Sequence, residues 1–188
     1  MTDHELYDEL LRLLRDGMPE PAPAEFDDET GFLPLGVDVD GDVGVVTFLC
    51  REPLGLFIAG TTFHRRNGEW MELGGGGGSA PDRPLARRTA SELGGHHLLT
   101  YGTGKTVRNA DRLLPWGAKW VSQARLQVST EVARLRVGNR FMSVPAHGHA
   151  VVVWGARRAP VVEALAEDGS VLGSLDLGQP LGALRSTA

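Results

Sequence analysis

Four dipeptides constrain this chain more than any other feature: Asp40-Gly41, Asn67-Gly68, Gly138-Asn139 and Asp168-Gly169 each stand between strand-like runs of alternating character. A two-residue hairpin loop needs positive φ at one or both central residues, and Gly, Asn and Asp tolerate it best. Runs punctuated in this way predict antiparallel sheet. At the last turn, Ala166 pairs with Val171, Ala164 with Gly173 and Val162 with Leu175, leaving Glu163, Glu167, Ser170 and Ser174 on the other face. Around Gly138-Asn139, Leu135 pairs with Met142 and Ala133 with Val144, while Arg134 and Arg136 turn outward. Further strand-length runs at 43–50, 55–63, 69–73, 119–128 and 149–154 suffice for two stacked sheets or a closed barrel.

The expected fold is therefore mainly β: an antiparallel sandwich, or a barrel, over residues 33–178. The part at 119–177 resembles Ig-like sandwiches in a generic way that implies no site. Its expected core holds Trp120, Val128, Leu135, Val144, Val151, Val153, Val162 and Leu175 with one face of 43–50. Cys50, the single cysteine, lies in that run and reads as a buried thiol.

The ends differ in character. Residues 1–17 form a short amphipathic helix: Thr2 caps it, Glu5 stands at capping-box spacing, and Gly17 with Pro19 ends it. Leu6, Tyr7, Leu10, Leu11 and Leu14 make an apolar stripe that must be covered, either by the domain itself or by a docked partner. Residues 18–32 read as an acidic, Pro-rich tether, and 179–188 as a C-terminal tail.

Between 74 and 118 the period-two rhythm is lost, so a long irregular insertion is expected there. It opens with five glycines, 74–78, which read as a flexible exit from the sheet or a hinge. It also contains a candidate helix, "PLARRTASEL", and a possible helical turn at 107–114.

Charge divides along the chain. Residues 1–42 carry thirteen acids against Arg12 and Arg15, a balance of −11, whereas 82–125 stands at +5. The two segments should attract. The overall charge of −5 argues against nucleic acid as a partner, and a local anion site made from Arg87, Arg88, Lys105, Thr106 and Arg108 is the candidate the basic segment offers. No apolar run is long enough for a membrane helix, and the acidic N-terminus is unlike a secretory signal, so a cytoplasmic protein without membrane attachment is expected. Among the 19 basic residues only Lys105 and Lys119 are lysine, a habit of GC-rich bacterial genomes.

The motifs of known chemistry fail on their spacing. "TYGTGKT" has Leu99 where a phosphate-binding loop wants its leading glycine, and "DVDGDVG" has Val43 and Leu49 where a calcium loop wants Gly and Glu. Its alternating Asp38, Asp40 and Asp42 are expected on a solvent face. His96, His97, His147 and His149 lack a completing carboxylate or cysteine motif, so no metal is assigned, and no motif nominates a catalytic residue or a cofactor. The expected function is a non-enzymatic cytoplasmic module that binds a protein partner. The alternative is a small anion- or phosphate-ligand-binding protein or enzyme centred on 82–112.

Overall fold

The computed structural model of the chain describes residues 2–23, 25–81, 83–109 and 118–179. Among these residues one helix, α1 (Asp3–Asp16), precedes eleven strands. Four form the first sheet in sequence order: β1 (Phe32–Asp40), β2 (Val43–Glu52), β3 (Gly55–Arg66) and β4 (Glu69–Ser79). The middle sheet joins β5 (Leu98–Val107), β6 (Trp120–Val128) and β9 (His149–Trp154). The third is ordered β11 (Val171–Asp176), β10 (Val161–Leu165), β7 (Arg134–Val137) and β8 (Arg140–Ser143). Every strand pair is antiparallel. The sheets do not close into a barrel, so the sandwich is the architecture the chain adopts.

Side-chain alternation explains the stacking. In β9, Val151 and Val153 meet Val43 and Val45 of the first sheet. Their neighbours Ala150 and Val152 pack with Leu135, Val137, Val162 and Ala164 of the third. The middle sheet is thus buried on both faces, which is why β9 reads as a continuous apolar run. The expected core residues accordingly split between two clusters on opposite sides of one strand. Trp120 departs from expectation: it is 43% exposed, with the Lys105 ammonium 4.9 Å from its ring centroid. Val144 and Leu175 are half-buried. Cys50 is also half-buried, and this burial raises its thiol pKa.

The first sheet has a second apolar face, covered by α1. Leu10, Leu13 and Leu14 are buried against Phe32, Val46, Phe48 and Phe63, with Leu6, Tyr7 and Leu11 packed around them. Thr2 and Glu5 form the capping box, and Gly17, at φ 84°, donates to Leu13 O. The helix is cover for its own sheet. Contact is close enough that a Cβ on Gly44 would stand 2.6 Å from Leu14 Cδ2.

The hairpins close near the expected dipeptides. Asn67 and Gly68 both have positive φ, and Gly138 alone does so in its loop. The first loop is Gly41-Asp42, one residue later than expected, with glycine at the first central position. The last turn keeps Ala164 opposite Gly173 and Val162 opposite Leu175, but a bulge sets Leu165, not Ala166, against Val171. A fifth hairpin, β2 to β3 across Pro53-Leu54, carries no Gly or Asn at its centre.

Two expectations for 74–118 are corrected. The glycines 74–78 are not a flexible exit: all five pair with β3, Gly76 opposite Gly60 and Gly78 opposite Ile58. Strand β5 then takes 10 residues out of the supposed irregular insertion, which is reduced to the connections 80–97 and 108–119. Glycine carries little strand propensity of its own, but a neighbouring strand supplies the ladder whatever the side chain. The candidate helix at 84–93 is a connection ending in a turn, where Thr89 and Glu92 bond reciprocally before Gly94 and Gly95 at positive φ. Of the possible turn at 107–114, residue 107 belongs to β5 and 110–114 lie outside the described residues, as does all of the tail except Gln179. No helix among the described residues is long and apolar enough to cross a membrane.

Candidate functional site

Among the described residues, strands β4 and β5 are each hydrogen-bonded on one side only, and they front a common cleft of about 470 Å³. One wall is the backbone of 74–79, the other that of 101–106, and Gln123 and Arg125 of β6 line the space with them. In an antiparallel ladder, residues that exchange both backbone bonds alternate with residues whose N–H and C=O point away. Ala80 N–H donates to Leu56 O, which makes 56/80, 58/78, 60/76 and 62/74 the bonded pairs. The backbone groups of Gly75, Gly77 and Ser79 therefore face the open edge. On β5 the Arg108 N–H bond to Lys119 O sets the phase, and Thr103 and Lys105 present theirs.

The glycines differ in what surrounds them. A Cβ on Gly77 would collide with the Ile58 carbonyl and the Phe57 ring, and one on Gly75 would stand 3.0 Å from Gly60 O. On the cleft side, Gly76 and Gly78 have nothing within 4 Å of where a Cβ would be, and neither has positive φ. Nothing in the described chain requires glycine at those two positions.

Glycines of β3 and β5 make room for two long side chains. The Arg125 guanidinium lies by Gly60 and Gly102, donating to Gly76 O at 2.5 Å and Ile58 O at 3.4 Å. Gln123 lies over Gly104, and its Nε2 donates to Thr62 Oγ1 at 3.3 Å. Gln123 is only 6% exposed and its Oε1 has no partner among the described residues. No described carboxylate lies within ion-pair distance of Arg125, and partial burial lowers its pKa. An arginine in such a place keeps its charge but lacks a counter-charge.

A bulge between Thr100 and Gly102 sets Tyr101 at the end of the cleft. Its hydroxyl is 2.9 Å from His149 Nδ1, while His149 Nε2 lies 2.6 Å from Pro84 O. A carbonyl only accepts, so Nε2 carries the proton and Tyr101 donates to Nδ1. Burial raises the Tyr101 pKa to about 12 and lowers that of His149. The neighbouring His147 accepts the His149 N–H at Nδ1, its Nε2 has no partner among the described residues, and burial takes its pKa down to about 4. Through Pro84, His149 anchors the 80–97 connection.

The expected anion residues do not converge. Lys105 and Thr106 line the cleft. Arg87 instead donates to the carbonyls of Ser129 and Val132, Arg108 pairs with Asp42, and Arg88 is not among the residues that line the cleft. Arg108 lines a separate cavity of about 680 Å³ with Arg65, Arg66 and Lys119, but Arg108 is spent on Asp42 and Arg65 lies over the Trp70 ring. His64 lines it too, 3.4 Å from Asp42. The helix residues Leu6, Tyr7, Leu10, Leu11 and Leu14, candidates for partner docking, are the cover of the first sheet described above. Among the described residues no group of three His, Cys, Asp or Glu could hold a metal. His97 turns to Ser129, 3.0 Å from its Oγ, while His147 and His149 stand side by side with ring centroids 5.5 Å apart.

The sequence reading missed Gln123, Arg125 and Tyr101. The sequence carried no signal for the first two: in "WVSQARLQV" they share a face with Val121 and Gln127, and a face so rich in polar residues reads as solvent-facing until the first sheet is seen to cover it. Compared with protein-family models, curated proteins and solved structures, the chain matches none.

Proposed function

We propose that this chain is a non-enzymatic cytoplasmic protein-interaction module, and that its partner contributes an extended segment which pairs with the edge of β4 in the cleft. One observation carries the reading: over 74–79 the outer edge pairs with no described strand and carries no lysine, proline or charge of its own, the bulge of β4 falling before it at Leu73. Natural sheets protect edges with lysine, proline, inward charge or a covering element, because a free row of N–H and C=O groups templates another strand. Residues 74–78 have no side chains at all, and α1 covers the face of the sheet, not this edge. Backbone pairing would supply affinity, and alternate partner side chains entering beside Gly76 and Gly78 would supply selectivity.

Selection of a displayed library of random linear peptides tests this, with Gly76→Leu/Gly78→Leu as the counter-target. That variant fills the cleft from positions where a Cβ meets nothing. Enriched peptides should bind wild type, slow amide exchange at Gly75 and Gly77, and fail on the filled variant. No enrichment, or equal binding to both proteins, would remove the reading.

A small-anion reading keeps Lys105 and Thr106 in the cleft and gains Arg125, but loses Arg87, Arg88 and Arg108. Titration with inorganic phosphate, followed by amide shifts at Thr103–Thr106, separates it from the peptide reading.

A further inference from the structure

Within the peptide-binding reading, on which this step rests, we infer that the segment taken up is acidic: it places a carboxylate on Arg125 and a backbone N–H on Gln123 Oε1. The cleft is lined by two cations, Lys105 and Arg125, and by no described acid. Lys105 is exposed and rests on the Trp120 ring, so it contributes a field at the mouth. Arg125 is deeper and has the stronger need. Two of its five N–H groups reach backbone carbonyls, and none reaches a carboxylate among the described residues. A guanidinium between two sheets is best satisfied by a planar anion that takes two parallel bonds, and a carboxylate has that shape.

Gln123 supplies an independent observation. Its side chain is more than nine-tenths buried and lines the cleft, with Nε2 used on Thr62 and Oε1 unused. A buried acceptor without a donor costs free energy that an incoming donor recovers. Each residue of an extended peptide offers a backbone N–H, and an acidic residue adds the carboxylate. Gln123 and Arg125 are alternate residues of β6 and share a face, so one short segment can reach both. A free anion would answer Arg125 but leave Oε1 unpaired. A neutral peptide would do the reverse.

The test uses the full chain and four fluorescent nonapeptides read by anisotropy: one Glu- and Asp-containing, its Gln/Asn isostere, and each of these with an amidated C-terminus. The acidic peptide should bind at least tenfold more tightly than its isostere at low salt, with part of the difference lost at high salt. Amidation without effect supports a side-chain carboxylate on Arg125; loss of binding on amidation would place the chain end there instead and overturn the inference of an acidic segment. Arg125→Gln should weaken the acidic peptide by roughly 10- to 100-fold and leave the isostere unchanged, in line with a charge-assisted hydrogen bond. Because Arg125→Gln loses bonds within the fold, Gln123→Glu is the second variant. It provides Arg125 with an internal carboxylate and should abolish preference for the acidic peptide while thermal stability holds.

Equal binding of acidic and neutral peptides overturns the inference and leaves the peptide reading standing. Failure of all four peptides overturns both. Acetate or inorganic phosphate competing at the peptide's own concentration would also overturn it, since Arg125 alone would then account for recognition.

Discussion

Arg140 on β8 donates to Oδ2 of Asp38 on β1 at 2.9 Å, and the same carboxylate oxygen accepts the backbone N–H of Val153 on β9 at 2.7 Å. Arg140 also reaches Val39 O and Val153 O, so one ion pair fastens all three sheets at a single point. Asp38 is 6% exposed, contrary to the solvent face expected from the alternating acids. Arg140→Met should leave a buried carboxylate without its partner and destabilise the protein by about 3–5 kcal/mol. Asp38→Asn keeps the shape and an acceptor for Val153, and should cost less. Urea midpoints of the two variants check the order, and a larger loss for Asp38→Asn would contradict it.

Two buried groups should set opposite pH slopes. Burial raises the Asp38 pKa to about 6, above its ordinary 3.8, despite Arg140. The unfolded chain ionises first, so this contribution is fully present below pH 3.8 and is lost as pH rises through 6. His147 runs the other way, with about 4 in the fold against an ordinary 6.5: its contribution is present above 6.5 and lost as pH falls through 4. Each is worth up to about 3 kcal/mol by the size of its shift. Between pH 4 and 6 they oppose one another, while His149, also lowered by burial, adds to the His147 direction, so wild type should lose stability as pH falls. Asp38→Asn should steepen this acid-side loss, and His147→Asn, whose Oδ1 replaces the Nδ1 acceptor, should make it shallower. Chemical denaturation at half-unit pH steps would reveal parallel profiles if either assignment is wrong.

The cover provided by α1 makes a third expectation. Leu13 is fully buried between the helix and the first sheet, and Leu13→Ala should cost about 2–5 kcal/mol. Deleting residues 2–17 should expose Val46, Phe48 and Phe63, lower the thermal midpoint and promote aggregation. The contact is apolar, so salt should change the midpoint little. A deletion that left the midpoint and the monomer unchanged would make the helix dispensable.

Legibility in the sequence followed the strength of the local chemistry. Positive-φ turns and helix caps are written by one or two residues, so Asn67-Gly68, Gly138-Asn139 and Thr2-x-x-Glu5 announced themselves. The hairpin across Pro53-Leu54 has no such residue at its centre and was silent. Strand β5 does alternate, but its members on the Arg125 and Gln123 face are Gly102 and Gly104, and a period-two pattern whose inner half has no side chain looks like a loop. Asp38 could not be placed from its own strand because its partners, Arg140 and Val153, come from more than a hundred residues away. The candidate cleft was hidden for the same reason. Lys105 and Thr106 were found through their own segment, whereas Arg125 matters only because of what β3 and β4 place beside it.

The five glycines offer the sharpest remaining test, because they should not respond alike. If the run were merely a flexible exit, alanine at any position would be neutral or, by reducing the freedom of the unfolded chain, stabilising by about 0.4–1 kcal/mol. In the paired strand the positions alternate. Gly77→Ala must push against the Ile58 carbonyl and the Phe57 ring, backbone and a packed aromatic that do not yield cheaply, and should destabilise by about 1–3 kcal/mol. Gly76→Ala and Gly78→Ala point their methyl groups into the open cleft and should be neutral or slightly stabilising. Gly74→Ala meets no atom, but its φ of 140° is foreign to an L-residue and should cost about 1 kcal/mol or more. Thermal midpoints of the four variants would show a low, high, low, high sequence from 74 to 78, omitting 75. Midpoints that rose or fell together would show that β4 does not hold its register through the glycines, and the cleft would lose its wall.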